Sequence, residues 1–439
     1  MSQLLVKPAS SIRGEILLPC DKSISHRAVF LSALSEGKTS IENFSASKDC
    51  LYTRKAFQSL GVDIVSKGKK IIIYGKGLRG LKPVDSEIFV GDSGTTMRLL
   101  CGVLAGQSFD TVLKAGKSLS QRPMKRVLEP LRQMGANIAS LNKKKDEEFP
   151  PLVIKGSPLK GIKYTLKIPS AQVKSAILLA ALLADGTTQI KEPIKSRDHT
   201  ERMLSLYGAN IKYTKDKITF FPVQKLKPPS HMFIPGDISS ASFFIIAAAL
   251  LKNSFLKINS VGLNPTRLGL VRVLKRMGAD IKIKYILPDK KNNEPYGEVW
   301  VKSSSLKATY VSEEEIPSLI DELPILMVAC SLAKGKSVVA SVQELRVKET
   351  DRINSMITGL SLMGAKIYVK KRQKKQDMVI EGVNSLKGAC VSSFGDHRTA
   401  MSLAVAGLNA KGETIIDDVD CVDKSFPNFL ELFKKVVIT

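Results

Sequence analysis

The sequence predicts an α/β protein of two domains, each built from three repeated units. Three observations predict it: a length of 439 residues, a buried-helix pattern that returns six times, and a polar cluster at the head of each such helix.

Length comes first. A chain of 439 residues exceeds one ordinary core and is long enough for two, each burying a substantial interior. Apolar residues make up 44% and charged residues 25%, the balance of a soluble globular protein. The longest apolar runs, such as the nine residues from Phe243 to Leu251, fall far short of the roughly 20 a membrane span needs, so no membrane association is expected. The N-terminal MSQLLVKPASSIRGEI has no long apolar core, so export is not expected. The six cysteines, at 20, 50, 101, 330, 390 and 421, form no CxxC pair and no Cys/His group with zinc spacing. Buried single cysteines in a reduced cytoplasmic protein, with neither disulfide nor structural metal, are the expectation. The net charge of +26 leaves two readings open. A nucleic-acid binder would spread it over one face or tail, whereas an enzyme for small polyanions would focus it at one site. The runs KKK (143–145) and KKRQKK (370–375) read as solvated turns.

The repeat comes next. An apolar stretch rich in small residues ends in a short polar stop, and a β-like segment follows. The copies are HRAVFLSALSEGKTSI (26–41), MRLLCGVLAGQSFDTVL (97–113), KSAILLAALLADGTTQI (174–190), SASFFIIAAALLKNSFLKI (240–258), LPILMVACSLAKGKSVV (323–339) and RTAMSLAVAGLNAKGETII (398–416). The stops are Gly37, Gly106, Gly186, Asn253, Gly335 and Gly412. Each copy reads as a buried helix, closed near its C′ position, and then a strand. Five copies add an amphipathic helix ending at SLGVDI, QMGANI, LYGANI, RMGADI or LMGAKI, and the sixth is cut short by the chain end. Breaks are expected at Pro19-Cys20-Asp21 and Pro235-Gly236-Asp237. They give one domain of residues 20–237 and another of 1–19 with 238–439, if strands at 4–7 and 12–18 pair with the C-terminal half.

The helix heads are DKSISHR (21–27), GDSGTTMR (91–98), PSAQVKS (169–175), GDISSAS (236–242), SLIDELP (318–324) and FGDHRTA (394–400). Capping accounts for the small polar residues. It does not account for Lys22, Arg27, Arg98, Gln172, Lys174 and Arg398, since cations oppose the helix dipole unless an anion neutralises both. Further cations stand in SQRPMKR (120–126), SRDHTER (196–202), LRVKETDR (345–352) and VDKSFP (422–427). On a helix, Lys348, Glu349 and Arg352 would share one side, and a plain Glu349–Arg352 ion pair competes with a ligand-binding role.

Taken in order, DKSISHR, SGTTMR, SAQVKSA, SRDHTERM, RVKETDR, GDHRTAM and DKSFP resemble the 5-enolpyruvylshikimate-3-phosphate synthase family, from about residue 7 to residue 434. SAQVKSA and SRDHTERM resemble its bacterial class II, which includes glyphosate-tolerant members. The resemblance implies an inside-out α/β barrel of two domains, each of three βαβαββ units, with helix N-termini aimed at a cleft that closes on ligands. It implies transfer of the enolpyruvyl group of phosphoenolpyruvate to shikimate 3-phosphate in chorismate biosynthesis, by a cytoplasmic monomer without metal or organic cofactor. For phosphoshikimate it implies Lys22, Ser23, Arg27, Ser170, Ala171, Gln172, Arg197, Asp321 and Lys348. For phosphoenolpyruvate it implies Lys22, Gly94, Arg122, Gln172, Arg352, Arg398 and Lys424. Asp321 resembles the base at the 5-hydroxyl, Glu349 the proton carrier for the methylene carbon, and Lys22 a residue reaching the reacting carbons. Arginine suits bidentate capture of the phosphates and carboxylates involved.

Asp92 stands where the family usually has Asn, which puts a carboxylate beside an anion pocket. Tolerant relatives carry Ala at the position of Gly94, so Gly94 implies competition between glyphosate and phosphoenolpyruvate. Two alternatives remain. The related transferase for UDP-N-acetylglucosamine would carry a reactive cysteine on a loop, but residues 99–121 hold only Cys101, inside an apolar helix pattern. A nucleic-acid binder would interleave aromatics with its basic runs, yet aromatics total only 6%.

Overall fold

A computed structural model describes residues 2–287, 289–290, 293–373 and 375–439, with Lys424 described in its main chain only. The chain divides into two units. The N-terminal unit is residues 20–234 with 290–294, and the C-terminal unit is 1–19, 235–289 and 295–439. Residues 235–237 and 290–294 thus lie on the other side of the division from the sequence expectation. Residues 290–294 are drawn in by side chains: His199 Nδ1 lies 2.8 Å from Glu294 Oε1, and Arg202 donates to the carbonyl of Lys290 at 2.9 Å.

The N-terminal unit holds α1 (Lys22–Ala33), α2 (Lys48–Ser59), α3 (Gly94–Leu104), α4 (Lys125–Gln133), α5 (Ala171–Ala181) and α6 (His199–Leu206). The C-terminal unit holds α7 (Ile238–Leu250), α8 (Gly269–Arg276), α9 (Leu323–Leu332), α10 (Arg352–Leu362), α11 (His397–Leu408) and α12 (Phe429–Val436). The odd-numbered helices are the six apolar stretches. Helix α7 is buried at every residue from Ile238 to Ala249, so its sequence has no polar stripe to show. Of the even-numbered helices, α2, α4, α8, α10 and α12 show one exposed polar face, whereas α6 is buried from His199 to Leu204.

Three four-stranded sheets repeat one pattern in the N-terminal unit: a parallel pair, then an antiparallel hairpin. In the first, Glu36–Glu42 pairs parallel with His231–Phe233 and antiparallel with Lys70–Lys76, which pairs with Asp63–Lys67. The chain's last strand in the unit thus closes the first sheet. The C-terminal unit is closed by the N-terminal tail. Ser11–Leu17 runs parallel to Phe255–Gly262, and Gln3–Val6 runs antiparallel to Thr414–Asp417, where the hairpin strand of the last copy would otherwise lie.

Three local expectations are corrected. The sixth copy is not truncated before its second helix: α12 forms, and Val437–Ile438 then pairs with Ser11–Leu17. The stops after the buried helices are not left-handed C′ residues, although Gly106 follows the C-cap Ala105 directly and Asn253 and Gly335 lie one residue further on with positive φ. Gly37 lies inside strand Glu36–Glu42, and Gly106 has no positive φ but sits so close to Leu183 that a Cβ would meet its Cβ at 2.7 Å. The left-handed C′ glycines belong to the covering helices, as at Gly61 (φ 85°) after α2. Finally, Lys348–Asp351 is not helical, because α10 begins only at Arg352. Asp351 stops the helix there, its Oδ1 accepting the amides of Ile353 and Asn354 at 3.1 Å.

The basic runs 143–145 and 370–375 lie at the tips of antiparallel hairpins, which is where their charge is best solvated; Lys374 is outside the described residues. Five of the six cysteines are buried and Cys390 is exposed; none is in a disulfide. Among the described residues no helix is long and apolar enough to cross a membrane.

Close packing of α3 on α5 depends on Gly102, where an added Cβ would lie 2.2 Å from the carbonyl oxygen of Ala176. That atom is backbone in a buried helix and cannot yield. Gly102→Ala is expected to destabilise the protein by roughly 1–3 kcal/mol in urea unfolding. Unchanged stability would contradict this packing.

Candidate functional site

Each buried helix must satisfy its free N–H groups at the N-terminus. Five do so with a side chain. Asp21 accepts from Ile24 N (2.9 Å), Ser93 from Thr96 N (3.3 Å) and Ser170 from Val173 N (3.4 Å). In the C-terminal unit Asp237 accepts from Ser239 N (2.8 Å) and Asp396 from Arg398 N (2.8 Å). Helix α9 is the exception. It starts at Leu323, with Pro324 in its first turn, after the 3-10 turn Ile320–Glu322, and has no side-chain cap. The carboxylates of Asp321 and Glu322 are therefore left for other work.

In the N-terminal unit the cluster is cationic. Lys22, the first residue of α1, pairs with Asp49 at the start of α2 (2.8 Å), and both are partly exposed. Arg27, one turn later, is buried. Its Nε donates to Thr200 Oγ1 (2.6 Å), one terminal nitrogen to the Ser23 carbonyl (3.0 Å) and the other to Ser175 Oγ (2.8 Å). Burial pulls the guanidinium down to about 10, opposed by Glu201 and Asp21. Ser170, Ala171 and Gln172 open α5 and are partly exposed, as is Arg197 just before α6. Gly94 opens α3, and an added Cβ there would lie 2.7 Å from Arg98 and 3.2 Å from Arg122. Arg98 in turn donates to Gln172 Oε1 at 2.7 Å.

Two cations or anions of the sequence argument behave differently from the rest. Lys174 is no ligand group: it is fully buried, 2.7 Å from Glu201 and 3.0 Å from Glu192. Burial opposes its charge, but the two carboxylates outweigh burial and hold it above the ordinary lysine range. Asp92 is exposed, and its Oδ1 accepts the backbone N–H of Leu119 at 3.0 Å. That ties the segment leading to Arg122 back to the start of α3, a task the side-chain oxygen of Asn performs equally well.

In the C-terminal unit Arg352 is the centre. It is fully buried at the first position of α10. Its Nε donates to Asp396 (2.9 Å), one terminal nitrogen to Glu349 (2.5 Å), and the other stands 3.7 Å from Asp321 without a hydrogen bond. Burial disfavours the charge, yet Asp396, Glu349 and Asp321 more than offset it and raise Arg352 above its usual range. Asp396 is buried too; burial pushes it up, Arg352 outweighs that, and it stays below the ordinary carboxylate range. Arg398 lies across Asp321, donating to its carbonyl at 2.8 Å and standing 4.0 Å from its carboxylate. Lys348, half-buried just before Glu349, is lowered by burial, with Asp321 opposing. Of the neighbouring carboxylates, Glu322 is buried and accepts from Ser239 Oγ, whereas Asp321 is partly exposed. The side chain of Lys424 lies outside the described residues. Among the described residues no group of three or more His, Cys, Asp or Glu is placed to hold a metal ion.

Spacing alone would place Glu349 on a helix with Arg352. They do form an ion pair, but Glu349 reaches Arg352 from the turn ahead of α10 and is exposed on its outer side. Asp49, Thr200 and Asp396 join the site only through the fold, as partners of Lys22, Arg27 and Arg352. Asp396 stands in FGDHRTA and reads there as a cap; its second oxygen, which takes Arg352, leaves no mark in the sequence. Cys101 is buried in α3, and burial pushes its thiol up to about 12, which removes it as a nucleophile.

Residues 6–433 match the family described as EPSP synthase (3-phosphoshikimate 1-carboxyvinyltransferase). A 3-phosphoshikimate 1-carboxyvinyltransferase of Thermodesulfovibrio yellowstonii is 48% identical over 432 residues, covering 98% of each chain. One from a Thermoanaerobacter species is 46% identical over 430 residues, again 98% of each. A solved EPSP synthase from Acinetobacter baumannii superimposes with a TM-score of 0.86 at 40% identity, covering 100% of this chain and 98% of that one.

Two buried histidines give a pH-dependent stability. Burial lowers His26 to about 3 and His397 to about 4, from an ordinary value of 6.5. Both are neutral in the folded protein and take up a proton on unfolding below pH 6.5. Stability from this source is full above that pH and falls as pH drops toward 4, at up to about 1.4 kcal/mol per pH unit for each. Urea unfolding from pH 7.5 to 4.5 should show that decline, and His26→Gln or His397→Gln should flatten it. A slope unaffected by both would contradict the neutral burial.

Proposed function

The chain belongs to the EPSP synthase (3-phosphoshikimate 1-carboxyvinyltransferase) family, and from that membership we propose how its two clusters share the family's reaction. The chain transfers the carboxyvinyl group of phosphoenolpyruvate to the 5-hydroxyl of shikimate 3-phosphate, releasing phosphate, a step in aromatic amino-acid biosynthesis. Both substrates are phosphorylated and so are retained in the cytoplasm, where reduced cysteines also belong.

The observation that carries the assignment is Asp321: a carboxylate spared from capping, partly exposed, and flanked at 3.7 and 4.0 Å by two guanidiniums. Those separations are long for hydrogen bonds, so Arg352 and Arg398 can turn to an incoming carboxylate, that of phosphoenolpyruvate. Asp321 then accepts the proton of the 5-hydroxyl as its oxygen attacks C2 of the enol. Glu349 delivers a proton to the C3 methylene, giving a tetrahedral adduct with a methyl group. In the second step the Glu349 carboxylate takes a proton back from C3, the C2–O bond to phosphate breaks as the double bond is restored, and the proton held by Asp321 is released with the phosphate. Lys22, with Arg122 and Lys424, takes up the charge developing on the leaving phosphate. Ser23, Arg27, Ser170, Ala171 and Arg197 hold phosphoshikimate, Lys348 with Asp321 addresses its hydroxyls, and Gln172 touches both substrates. Helix heads α1, α3 and α5 supply backbone N–H groups for the phosphates.

Asp321→Asn is expected to lower turnover, measured as phosphate release from the two substrates, by at least about a hundredfold, the range of general-base catalysis. Calorimetry should show both substrates still bound. Glu322→Gln, altering a buried structural carboxylate, should spare kcat relative to Asp321→Asn. The reverse order would overturn the assignment.

Gly94 bears on inhibition. Glyphosate carries charged groups like those of phosphoenolpyruvate, and competitive inhibition of the wild type against phosphoenolpyruvate is expected. Gly94→Ala should raise the inhibition constant more than the KM, because the methyl pushes the Arg98 and Arg122 guanidiniums that the longer ligand also needs. Wild-type insensitivity that Asp92→Asn reverses would instead make the Asp92 charge the governing feature.

A further inference from the structure

Helices α3 and α5 touch backbone to backbone at Gly102 and Ala176. One turn toward the N-termini, four residues back on each helix, stand Arg98 and Gln172. There one terminal nitrogen of Arg98 donates to Gln172 Oε1 at 2.7 Å, and Gln172 Nε2 donates to Thr95 Oγ1 at 3.0 Å. The other terminal nitrogen of Arg98 donates to the carbonyl of Pro123 at 3.2 Å, directly after Arg122. On a third side, the space of a Cβ at Gly94 ends 2.7 Å from Arg98. A single arginine, only 4% exposed, therefore adjoins Gly94, Arg122 and Gln172, all assigned to phosphoenolpyruvate above, while holding no assignment itself.

The two ends of a primary amide are chemically opposite, one accepting and one donating. Only the NH2 end suits an anionic substrate. We propose that Arg98 is a positioning residue that locks the Gln172 amide with its oxygen turned inward, leaving the NH2 group to donate to substrate. Released from Arg98, the amide can turn over and present its oxygen to phosphoenolpyruvate, an acceptor facing an acceptor. The fork of arginine is required because Gln172 Oε1 and the Pro123 carbonyl lie in two directions; the single ammonium of lysine reaches one. Gly94 is then needed so that this guanidinium has room. The inference rests on the reading of Gln172 as a substrate contact.

The test is a double-mutant cycle on kcat/KM for phosphoenolpyruvate, with wild type, Arg98→Lys, Gln172→Ala and the double variant, and thermal unfolding of each. Loss of a hydrogen bond to a charged donor predicts that Arg98→Lys raises KM roughly tenfold or more, with a smaller change in kcat. In the Gln172→Ala background the same change should cost no more than about twofold, because the group it acts through is gone. An equal effect of Arg98→Lys in both backgrounds, whatever the thermal midpoint does, would overturn the proposal, as would an unchanged KM in Arg98→Lys. A Gln172→Ala variant with wild-type KM would overturn the substrate assignment of Gln172 first, and the role of Arg98 with it.

Discussion

A helix that is apolar on every side can be polar only at its ends, and the chemistry of this protein follows from that constraint. Helices α1, α3, α5, α7, α9 and α11 are packed all round, so their side chains offer no polar surface along their length. Their N-termini still carry unpaired N–H groups and the positive end of the dipole. Polar ligands can be met there, and the sequence places Lys22, Ser170, Asp321 and Arg398 at or beside those heads, while Arg122, Arg197, Lys348, Glu349 and Arg352 come from connecting segments and the start of α10.

The same constraint sorts the carboxylates. Asp21, Asp237 and Asp396 are consumed as caps. Asp396 does a second task with its other oxygen, neutralising Arg352 so that a guanidinium can stay charged without solvent. Helix α9 has no side-chain cap, Pro324 in its first turn having no N–H to satisfy, and Asp321 faces Arg352, Arg398 and Lys348. The buried cations divide likewise. Lys174 is committed to two glutamates and serves packing, whereas Arg352 keeps one nitrogen unsatisfied and is poised for an anion.

Much of this was legible in the sequence because it is local. Apolar runs with small residues give buried helices, and SDNT-type residues give their heads. Motifs such as DKSISHR and GDHRTAM carry the family resemblance. What was not legible depends on long-range placement. LRVKETDR reads as helical by spacing, but Asp351 captures the amides of Ile353 and Asn354 and delays the helix to Arg352. Nothing local marks Lys174 as buried, since its partners Glu192 and Glu201 are 18 and 27 residues away. Arg98 looked like one more cation at a helix head; only the contact of α3 with α5 at Gly102 shows what it holds.

The account's central claim is that the anionic substrates are met by the heads of the buried helices. Amide hydrogen exchange followed with and without saturating shikimate 3-phosphate tests this directly. The account predicts slowed exchange concentrated at residues 22–25 and 170–174, with little change at the heads of covering helices α2 and α4. Protection confined to the hairpin tips at 143–146 and 370–373, or spread evenly over the basic surface, would contradict it.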